Sequence, residues 1–481
     1  MRLPLENLDR AAGSGLDRLV RAHHRRRLRR VGRGSQLQPS DDGLWAAGDP
    51  PPRGDCRLEL LIDGSEALPR ISESLDRARS EVRIAGWHLT SDFGLDRDEG
   101  ARRLRDHLAE LAERVEVRVL LWAGAPLPVF SPRRSQMRRV RDELTQGTKV
   151  QCALDSRERP MHCHHEKLVI VDGEVAFVGG IDLTSLGGDR FDSGEHPARG
   201  KIGWHDASSR LEGPAVADVA DHFADRWHEV TGERLAPTKP PLPVGDHEVQ
   251  VIRTLPERIY DFLPQGDFRI LETYLRALRA ARSLVYLENQ FLWAPQVVEI
   301  LIDKLRDPPS DRFRAVVVLP AKPNNGADDT RGQLAQLAEA DDAAGRFLAA
   351  TLQSRTGGLS GPLYVHAKIG IVDDHWLTIG SANLNEHSFF NDTEMNVVCH
   401  DAALARDTRL RLWSEHLERP IAALEGDPTQ VVDEIWKPVA REQLERKERG
   451  EPATHRLLEL RGVSRRSAVL LGPLQGFVVD G

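Results

Sequence analysis

The sequence predicts an α/β protein built from two similar halves in tandem, and two observations carry that prediction. First, the pattern H-x-K-x-x-x-x-D occurs twice, at residues 165–172 and 366–373. In both copies an acidic turn follows, and then a second apolar run that ends in small residues. Second, helix-like and strand-like segments alternate ahead of the pattern in each half. Corresponding segments lie about 200 residues apart, so an internal duplication is the simplest explanation.

The segments ahead of each motif repeat in order. In the first half, residues 66–79 carry apolar side chains at helical spacing, and a strand-like run follows at 81–87. In the second half, residues 270–281 predict the matching helix, and the run 283–287 predicts the matching strand. Further strands are predicted between these segments and the motifs, at 115–122 and 313–320.

The motifs are predicted to begin β-hairpins, because β-branched apolar runs are interrupted by acidic turns. Residues i and i+2 of a strand share a face, so His165 and Lys167 should point together, as should His366 and Lys368. An imidazole can act as nucleophile, acid or base near neutral pH, and an ammonium group suits a phosphate oxygen. Two such pairs facing each other predict a phosphodiester site.

The chain divides into five predicted segments by composition and pattern. Two halves are expected at 56–236 and 247–426, each ending in a helix that contains tryptophan, and a proline-rich linker at 237–246 separates them. Residues 1–55 are expected to form a basic, partly disordered arm. The tail 427–481, which has a charged helix and an apolar end at 468–479, is expected to pack on the body.

The arginine-rich stretch from Arg18 to Arg33 has two interpretations. It is either a solvated basic helix or an interfacial anchor whose arginines meet anionic lipid. In the second case the apolar side chains of this arm would enter the headgroup region; they are Leu16, Leu19, Val20 and Leu28.

Composition narrows the class of protein. The formal net charge of -8 disfavours a general nucleic-acid binder. No apolar run reaches the length of a membrane span and no secretory signal is recognisable, so a cytoplasmic or peripherally membrane-associated protein is expected.

The run His162-Cys163-His164-His165 invites a zinc hypothesis, but neighbouring strand residues alternate faces and a four-ligand set is missing nearby. No metal and no cofactor are predicted.

With its duplicated motif, the chain resembles the phospholipase D superfamily over about residues 56–480. The resemblance implies two α/β sandwich halves packed about a pseudo-twofold axis, with the active site at their interface. It also implies two displacements at phosphorus through a phosphohistidine. His165 would be the nucleophile and His366 the general acid and then base, although near-symmetric halves leave that order open. Lys167 and Lys368 would bind the non-bridging oxygens.

Further site residues are implied by the same resemblance. Asn383 matches the family's amide ligand to phosphate, whereas the first half carries Asp182 there, which we expect to be protonated, turned away or hydrogen-bonded. Asp206 and Glu394 match groups that orient the histidines, the alternative being that each merely caps or pairs with a surface element. Gln290 lies in a run that resembles a headgroup-side stretch of lipid-cleaving members.

Asp172 and Asp373 complete the catalytic motif, but they lie at turns five residues beyond each lysine. We therefore interpret them as structural supports of the site rather than as groups that act on the substrate.

The expected function is phospholipase D activity on glycerophospholipids at a membrane surface, with transfer to alcohols as an accompanying reaction. A cardiolipin synthase-type phosphatidyltransferase and a nuclease are the alternatives within the superfamily, and a non-catalytic lipid-binding scaffold is the alternative outside it. The sequence leaves headgroup preference open. One chain carries both half-sites, so a monomer is sufficient, and no specific nucleic-acid partner is expected.

Overall fold

A computed structural model describes residues 18–40, 43–96, 102–127, 130–160, 162–198, 200–322 and 327–462. The helices are α1 (18–30), α2 (Asp63–Asp76), α3 (Leu104–Leu111), α4 (Arg134–Thr145), α5 (Val216–Thr231), α6 (Arg269–Ala280), α7 (Pro295–Arg306), α8 (Ala327–Asp341), α9 (Glu386–Phe390), α10 (Ala402–Leu417), α11 (Pro428–Val431) and α12 (Lys437–Glu448). The strands are β1 (Arg53–Ile62), β2 (Glu81–Gly86), β3 (Glu116–Trp122), β4 (Gln151–Asp155), β5 (Leu168–Val171), β6 (Val175–Gly179), β7 (Gly203–His205), β8 (Ala207–Glu212), β9 (His247–Leu255), β10 (Asp267–Phe268), β11 (Leu284–Glu288), β12 (Arg314–Val318), β13 (Phe347–Thr356), β14 (Leu359–Val365), β15 (Ile369–Val372), β16 (Trp376–Gly380), β17 (Glu394–Cys399) and β18 (Leu457–Glu459).

The two halves contain sheets of the same design. The first sheet has the order β4–β3–β2–β5–β6–β8–β1, and the second has the order β13–β12–β11–β15–β16–β17–β9. In each, the first three strands are parallel and the remaining pairs are antiparallel. The parallel strands are joined by crossover helices, as parallel connections require. This agreement confirms the tandem α/β halves predicted from the repeated motif.

Each sheet separates an inner apolar core from an outer one. On β5, Leu168 and Ile170 belong to the inner core, whereas Val169 and Val171 pack outward in the core that also holds α2, α3 and α4. The second sheet repeats this with α6, α7 and α8 on its outer face. The inner faces of both sheets share one core with α5 and α10. The N-terminal ends of the motif segments are thereby brought together between the halves.

The motif aspartates fasten each hairpin to the joint that precedes the neighbouring strand. Asp172 accepts hydrogen bonds from the backbone N–H groups of Arg79, Ser80 and Glu81 at 2.7–3.1 Å. Asp373 accepts the equivalent bonds from the backbone N–H groups of residues 282–284 at 2.7–2.8 Å. Both aspartates adopt a left-handed conformation, with φ of 55° and 53°. Their carboxylates therefore hold backbone and do not face the histidines, in keeping with a structural role.

The N-terminal helix packs on the second half. Leu28 is completely buried in the outer core of that half, and Arg27 pairs with Glu257 at 2.8 Å. The expectation that Leu28 enters the headgroup region is therefore wrong: one face of α1 is needed for packing. Leu19 is 65% exposed, and Leu16 lies outside the described residues.

The linker packs against the first half, where the Thr238 N–H donates to Asp221 Oδ1 at 2.9 Å, and the tail extends the second sheet. Residues 233–245 form neither helix nor strand. The charged helix expected in the tail is α12, and β18 adds an antiparallel strand to β13. The apolar end at 468–479 lies outside the described residues. Within the ranges given above, no helix combines the length and the apolar character that crossing a membrane requires.

We expect the substitution Asp373→Asn to lower the free energy of unfolding by about 1–3 kcal/mol, because an acceptor of three backbone N–H groups at a half-buried position becomes in part a donor that faces them. Thermal melting measures this loss, and turnover per folded molecule should change little. Asp172→Asn should behave in the same way. Unchanged melting together with abolished turnover would show instead that Asp373 takes part in the chemistry.

Candidate active site

The two motif segments meet between the sheets, and each is bonded to the other half. The backbone N–H groups of His165 and Glu166 donate to the carbonyl of Thr393 at 2.8 and 3.0 Å. Those of His366 and Ala367 donate to the carbonyl of His205 at 2.7 and 3.2 Å. The residues that accept these bonds immediately precede Glu394 and Asp206.

The histidines and lysines of the motifs precede the strands rather than lying on them, since β5 starts at Leu168 and β15 at Ile369. The sequence-based placement on a strand is wrong in that detail, because their backbone groups bond across the interface instead of to a neighbouring strand. Each lysine ammonium still returns to the carbonyl of its own histidine. Each ammonium therefore stays next to the histidine of its own motif, bonded to the backbone carbonyl rather than to the imidazole.

Each histidine is bonded to a carboxylate from the opposite half. His165 Nδ1 lies 3.0 Å from Glu394 Oε1, and His366 Nδ1 lies 2.7 Å from Asp206 Oδ2. A carboxylate at Nδ1 keeps the proton there and leaves Nε2 free to accept or deliver one. The pairing is crossed, so each motif histidine depends on the opposite half for this carboxylate.

The two carboxylates are themselves held in place. Ser388 Oγ donates to Glu394 Oε1 at 2.6 Å, and the hydroxyl of Ser381 donates to the other carboxylate oxygen. Burial raises the pKa of Glu394 to about 8, against the opposing effect of Lys167. Burial also raises the pKa of Asp206, whose Oδ1 accepts a bond from the Ala207 N–H at 2.8 Å.

The centre of the site concentrates buried positive charge. Burial lowers the pKa of Lys368 to about 7, and Lys167 acts in the same direction. Burial also lowers the pKa of His366 well below its ordinary value, together with the charges of Lys368 and Arg190. A bound anion would oppose these shifts, which is the electrostatic character of a phosphate site.

The half-sites differ at the position of the amide ligand. Asp182 Oδ2 lies 3.2 Å from Lys167 Nζ, so this acid forms an ion pair with the motif lysine. Of the three states expected for Asp182, the ion pair comes nearest to the hydrogen-bonded one. In the other half, Asn383 Nδ2 donates to Gln290 Oε1 at 3.3 Å, and Gln290 Nε2 donates to the Tyr364 hydroxyl at 2.9 Å. Gln290 Oε1 is also 3.5 Å from Lys368 Nζ.

Arg190 is a site residue that sequence reasoning missed. Its guanidinium stacks on Trp204 at 3.2 Å, and the Trp204 ring lies 4.6 Å from that of His366. Nη2 donates to the carbonyl of Leu186 at 3.1 Å, whereas Nε and Nη1 are buried without a hydrogen-bond partner among the described residues. The sequence signal that could have drawn attention to this loop is the pair Gly187-Gly188. Gly188 has φ 150°, and a Cβ there would lie 2.4 Å from Trp204, the ring on which Arg190 stacks.

This arrangement can perform two-step transfer at phosphorus. Each of the two imidazoles has a carboxylate at one ring nitrogen, and the buried side chains of Lys167, Lys368 and Arg190 lie near enough to His366 to lower its pKa. One imidazole can attack while the other protonates the departing oxygen.

We expect Glu394→Gln and Asp206→Asn each to lower kcat at least about 100-fold, because the Nδ1 proton and the ring orientation are no longer fixed. Steady-state kinetics should show KM changed far less than kcat. The matched control is Glu166→Gln, which removes a buried carboxylate bonded at 2.7 Å to His222 rather than to a motif histidine. A kcat for Glu394→Gln equal to that of Glu166→Gln would contradict the orienting role.

Comparison with known proteins assigns each half to the same superfamily. A family model described as phospholipase D matches residues 74–203, and one described as cardiolipin synthase, PLD-like domain, matches residues 275–414. In the solved structures, phosphatidylserine synthase of Haemophilus influenzae aligns with a TM-score of 0.51 at 12% identity, over 78% of this chain and 92% of that one. At this identity the alignment supports the fold alone.

Curated relatives match both halves at low identity. Phospholipase D A of Dictyostelium discoideum is 23% identical over 76% of this chain, which spans only 36% of that protein. Phospholipase D alpha 3 of Arabidopsis thaliana is 24% identical, with 79% of this chain and 67% of the relative covered. The major cardiolipin synthase ClsA of Bacillus subtilis is 24% identical, with 76% and 72% covered. The chain belongs to the phospholipase D superfamily.

Proposed function

We propose that this protein is a phospholipase D-type enzyme that transfers the phosphatidyl group of a glycerophospholipid to water or to an alcohol. The observation that supports it best is the crossed pair of histidine–carboxylate contacts, with buried lysines beside both histidines. Such a site has a nucleophile on one side of a phosphoryl group and an acid on the other.

In the proposed first step, His165 Nε2 forms a bond to phosphorus while the bond from phosphorus to the headgroup oxygen breaks. His366 protonates that oxygen, so the headgroup leaves with a hydroxyl group rather than as an alkoxide. In the second step, His366 removes a proton from water or an alcohol, whose oxygen displaces His165 from phosphorus. We retain this order of the histidines from the family resemblance.

The cations support the first step. Lys167, Lys368 and Arg190 would offset the negative charge on the non-bridging oxygens as it builds up. The phosphodiester anion would in turn raise the pKa of His366, because it offsets the neighbouring charges of Lys368 and Arg190. Substrate binding would thus favour the protonated imidazole that the departing oxygen needs.

A lipid substrate is supported by surface features as well as by the relatives' names. The net charge of -8 is unfavourable for a polyanionic nucleic acid. Leu186 is 40% exposed on the loop that carries Arg190, and Leu359 is 72% exposed at the start of β14, the strand that leads to Tyr364. These two leucines are available for contact with an apolar surface.

A cardiolipin synthase-type transfer is the second candidate. It is favoured by the description of the model that matches residues 275–414 and by the Bacillus subtilis relative. The two reactions would share the phosphohistidine and differ in the acceptor, which is water in one case and the hydroxyl of a second lipid in the other.

The deciding experiment is incubation of the protein with phosphatidylcholine or phosphatidylglycerol vesicles, with and without ethanol. We expect phosphatidic acid without ethanol and phosphatidylethanol with it, because one covalent intermediate partitions between acceptors. His165→Ala should abolish both products. Cardiolipin formed from phosphatidylglycerol in preference to phosphatidic acid would favour the second candidate, and no release from either lipid would contradict both.

We also propose that α1 contacts anionic lipid. Arg25, Arg26, Arg29 and Arg30 are exposed and share one face of the helix, opposite the buried Arg27 and Leu28. An arginine near an anionic surface contributes about 1 kcal/mol to membrane association.

We expect that changing these four arginines to glutamine weakens co-sedimentation with phosphatidylserine-containing vesicles by more than tenfold at low salt, with little effect at high salt. The matched control makes the same change in charge at exposed positions elsewhere; it replaces Arg138, Arg139, Arg441 and Lys447. Equal binding of both variants would contradict a lipid-contacting role for α1.

A further inference from the structure

Behind Asp206 lies a buried cluster of two histidines and two carboxylates that the proposed chemistry does not use. It comprises Asp63, His196, His205 and Glu415, whose side chains are at most 9% exposed. The residues come from four segments: the start of α2, the loop before β7, β7 itself and α10. Both halves therefore contribute to it.

The spacing of the ligand atoms is that of a coordination shell. Glu415 Oε1 lies 3.0 Å from His196 Nε2 and 3.1 Å from His205 Nδ1. Asp63 Oδ2 lies 3.4 Å from His196 Nε2, and Asp63 Oδ1 lies 3.0 Å from His205 Nδ1. Four ligands at zinc bond lengths in a tetrahedron are about 3.3 Å apart.

Two of these atoms are close to neighbours without being hydrogen-bonded to them. Asp63 Oδ2 and His205 Nδ1 are buried and have no hydrogen-bond partner among the described residues. Asp63 Oδ2 lies 3.4 Å from His196 Nε2, and His205 Nδ1 lies 3.0 Å from Asp63 Oδ1. A metal ion bound among the four side chains would give both atoms a partner.

The second ring nitrogens strengthen this interpretation. His205 Nε2 lies 2.7 Å from Glu288 Oε2, and His196 Nδ1 lies 3.2 Å from Asp192 Oδ2. Histidines that bind metals almost always have a carboxylate, carbonyl or water at the other ring nitrogen, which fixes the tautomer. His205 has a hydrogen-bonded carboxylate there, and the Asp192 carboxylate lies near the corresponding nitrogen of His196.

The charge of the cluster has no arginine or lysine to balance it. Around α5, the counterpart of α10, the buried carboxylates Asp155 and Glu166 are paired with Arg226. In the described part of the chain, Asp63 and Glu415 make no ion pair with arginine or lysine, only with histidines.

We infer that Asp63, His196, His205 and Glu415 form a closed structural site for a divalent transition-metal ion, with Zn²⁺ as the best match to two imidazoles and two carboxylates. Four protein ligands leave no open position for substrate, so the ion would support the fold rather than react. The alternative is that the cluster holds no metal ion and that protons on its histidines balance the charge of the carboxylates. Burial lowers the pKa of His196, but Asp63, Asp192 and Glu415 outweigh burial and raise it to about 9.

The site is connected to the active site through the backbone. The Asp63 N–H donates to the carbonyl of Asp206 at 2.8 Å, and Asp63 Oδ1 accepts from the Asp206 N–H at 3.0 Å. The His205 carbonyl accepts from the His366 N–H. An ion bound at Asp63 and His205 would thus fix the position of the carboxylate that orients His366.

The first test is the metal content of the full chain. The protein is unfolded with EDTA and refolded with or without Zn²⁺, without a metal-binding tag, and zinc is measured by mass spectrometry after gel filtration. We expect one tightly held zinc ion per chain and a higher Tm for the zinc-refolded protein. Refolding with Co²⁺ should give the visible absorption of a four-coordinate cobalt ion.

Variants locate the ion. His196→Gln and Glu415→Gln should each lose the zinc. Two buried histidines serve as controls and should leave it bound: His222, which pairs with Glu166, and His162, which lies near His387 and Asp392 in a different cluster. Substoichiometric zinc in the wild-type protein with an unchanged Tm would show that protons occupy the cluster. Loss of zinc from His162→Gln would also overturn the proposal, as would retention of zinc in both cluster variants. If the cluster variants do not fold, the zinc content and the cobalt spectrum of the wild-type protein decide.

Discussion

The contact between each motif histidine and a carboxylate of the opposite half is the interaction on which the site depends. Placing two histidines and two lysines between packed sheets is costly unless each charged or polar group has a partner. Glu394 and Asp206 supply those partners across the interface, and the backbone bonds to Thr393 and His205 align them. Docking of the halves and assembly of the catalytic groups are therefore one event.

Sequence reasoning succeeded where the information is local or periodic. The motif spacing and the alternation of helices and strands were enough to predict the duplicated α/β halves, and the acidic turns located Asp172 and Asp373. It did not find Arg190, Asp63 or Glu415, because their roles depend on segments far apart in the chain. Arg190 follows no spacing rule, and it becomes a site residue only when Trp204 places its ring beneath it. Leu28 was misjudged because its arginine neighbours concealed a helix face that packs on the second half.

The pseudo-symmetry is broken where chemistry would require the halves to differ. Asp182 pairs with Lys167 in one half, whereas Asn383 and Gln290 form an amide pair beside Lys368 in the other. The same contrast extends behind the site, where Arg226 balances carboxylates around α5 and histidines take that position around α10. One fold thus offers two electrostatically different half-sites to a single phosphoryl group.

The crossed contacts also bear on how such a chain can arise. A single half that paired with a second copy of itself would form both histidine–carboxylate contacts, but only in proportion to its concentration. The segment at 233–245, without helix or strand, converts that pairing into an intramolecular one, at an effective concentration that for short flexible linkers is in the millimolar range. Joining two copies would release assembly from dilution, and would let each copy accumulate changes, such as Asp182 against Asn383, that a dimer of identical chains cannot carry on one side alone.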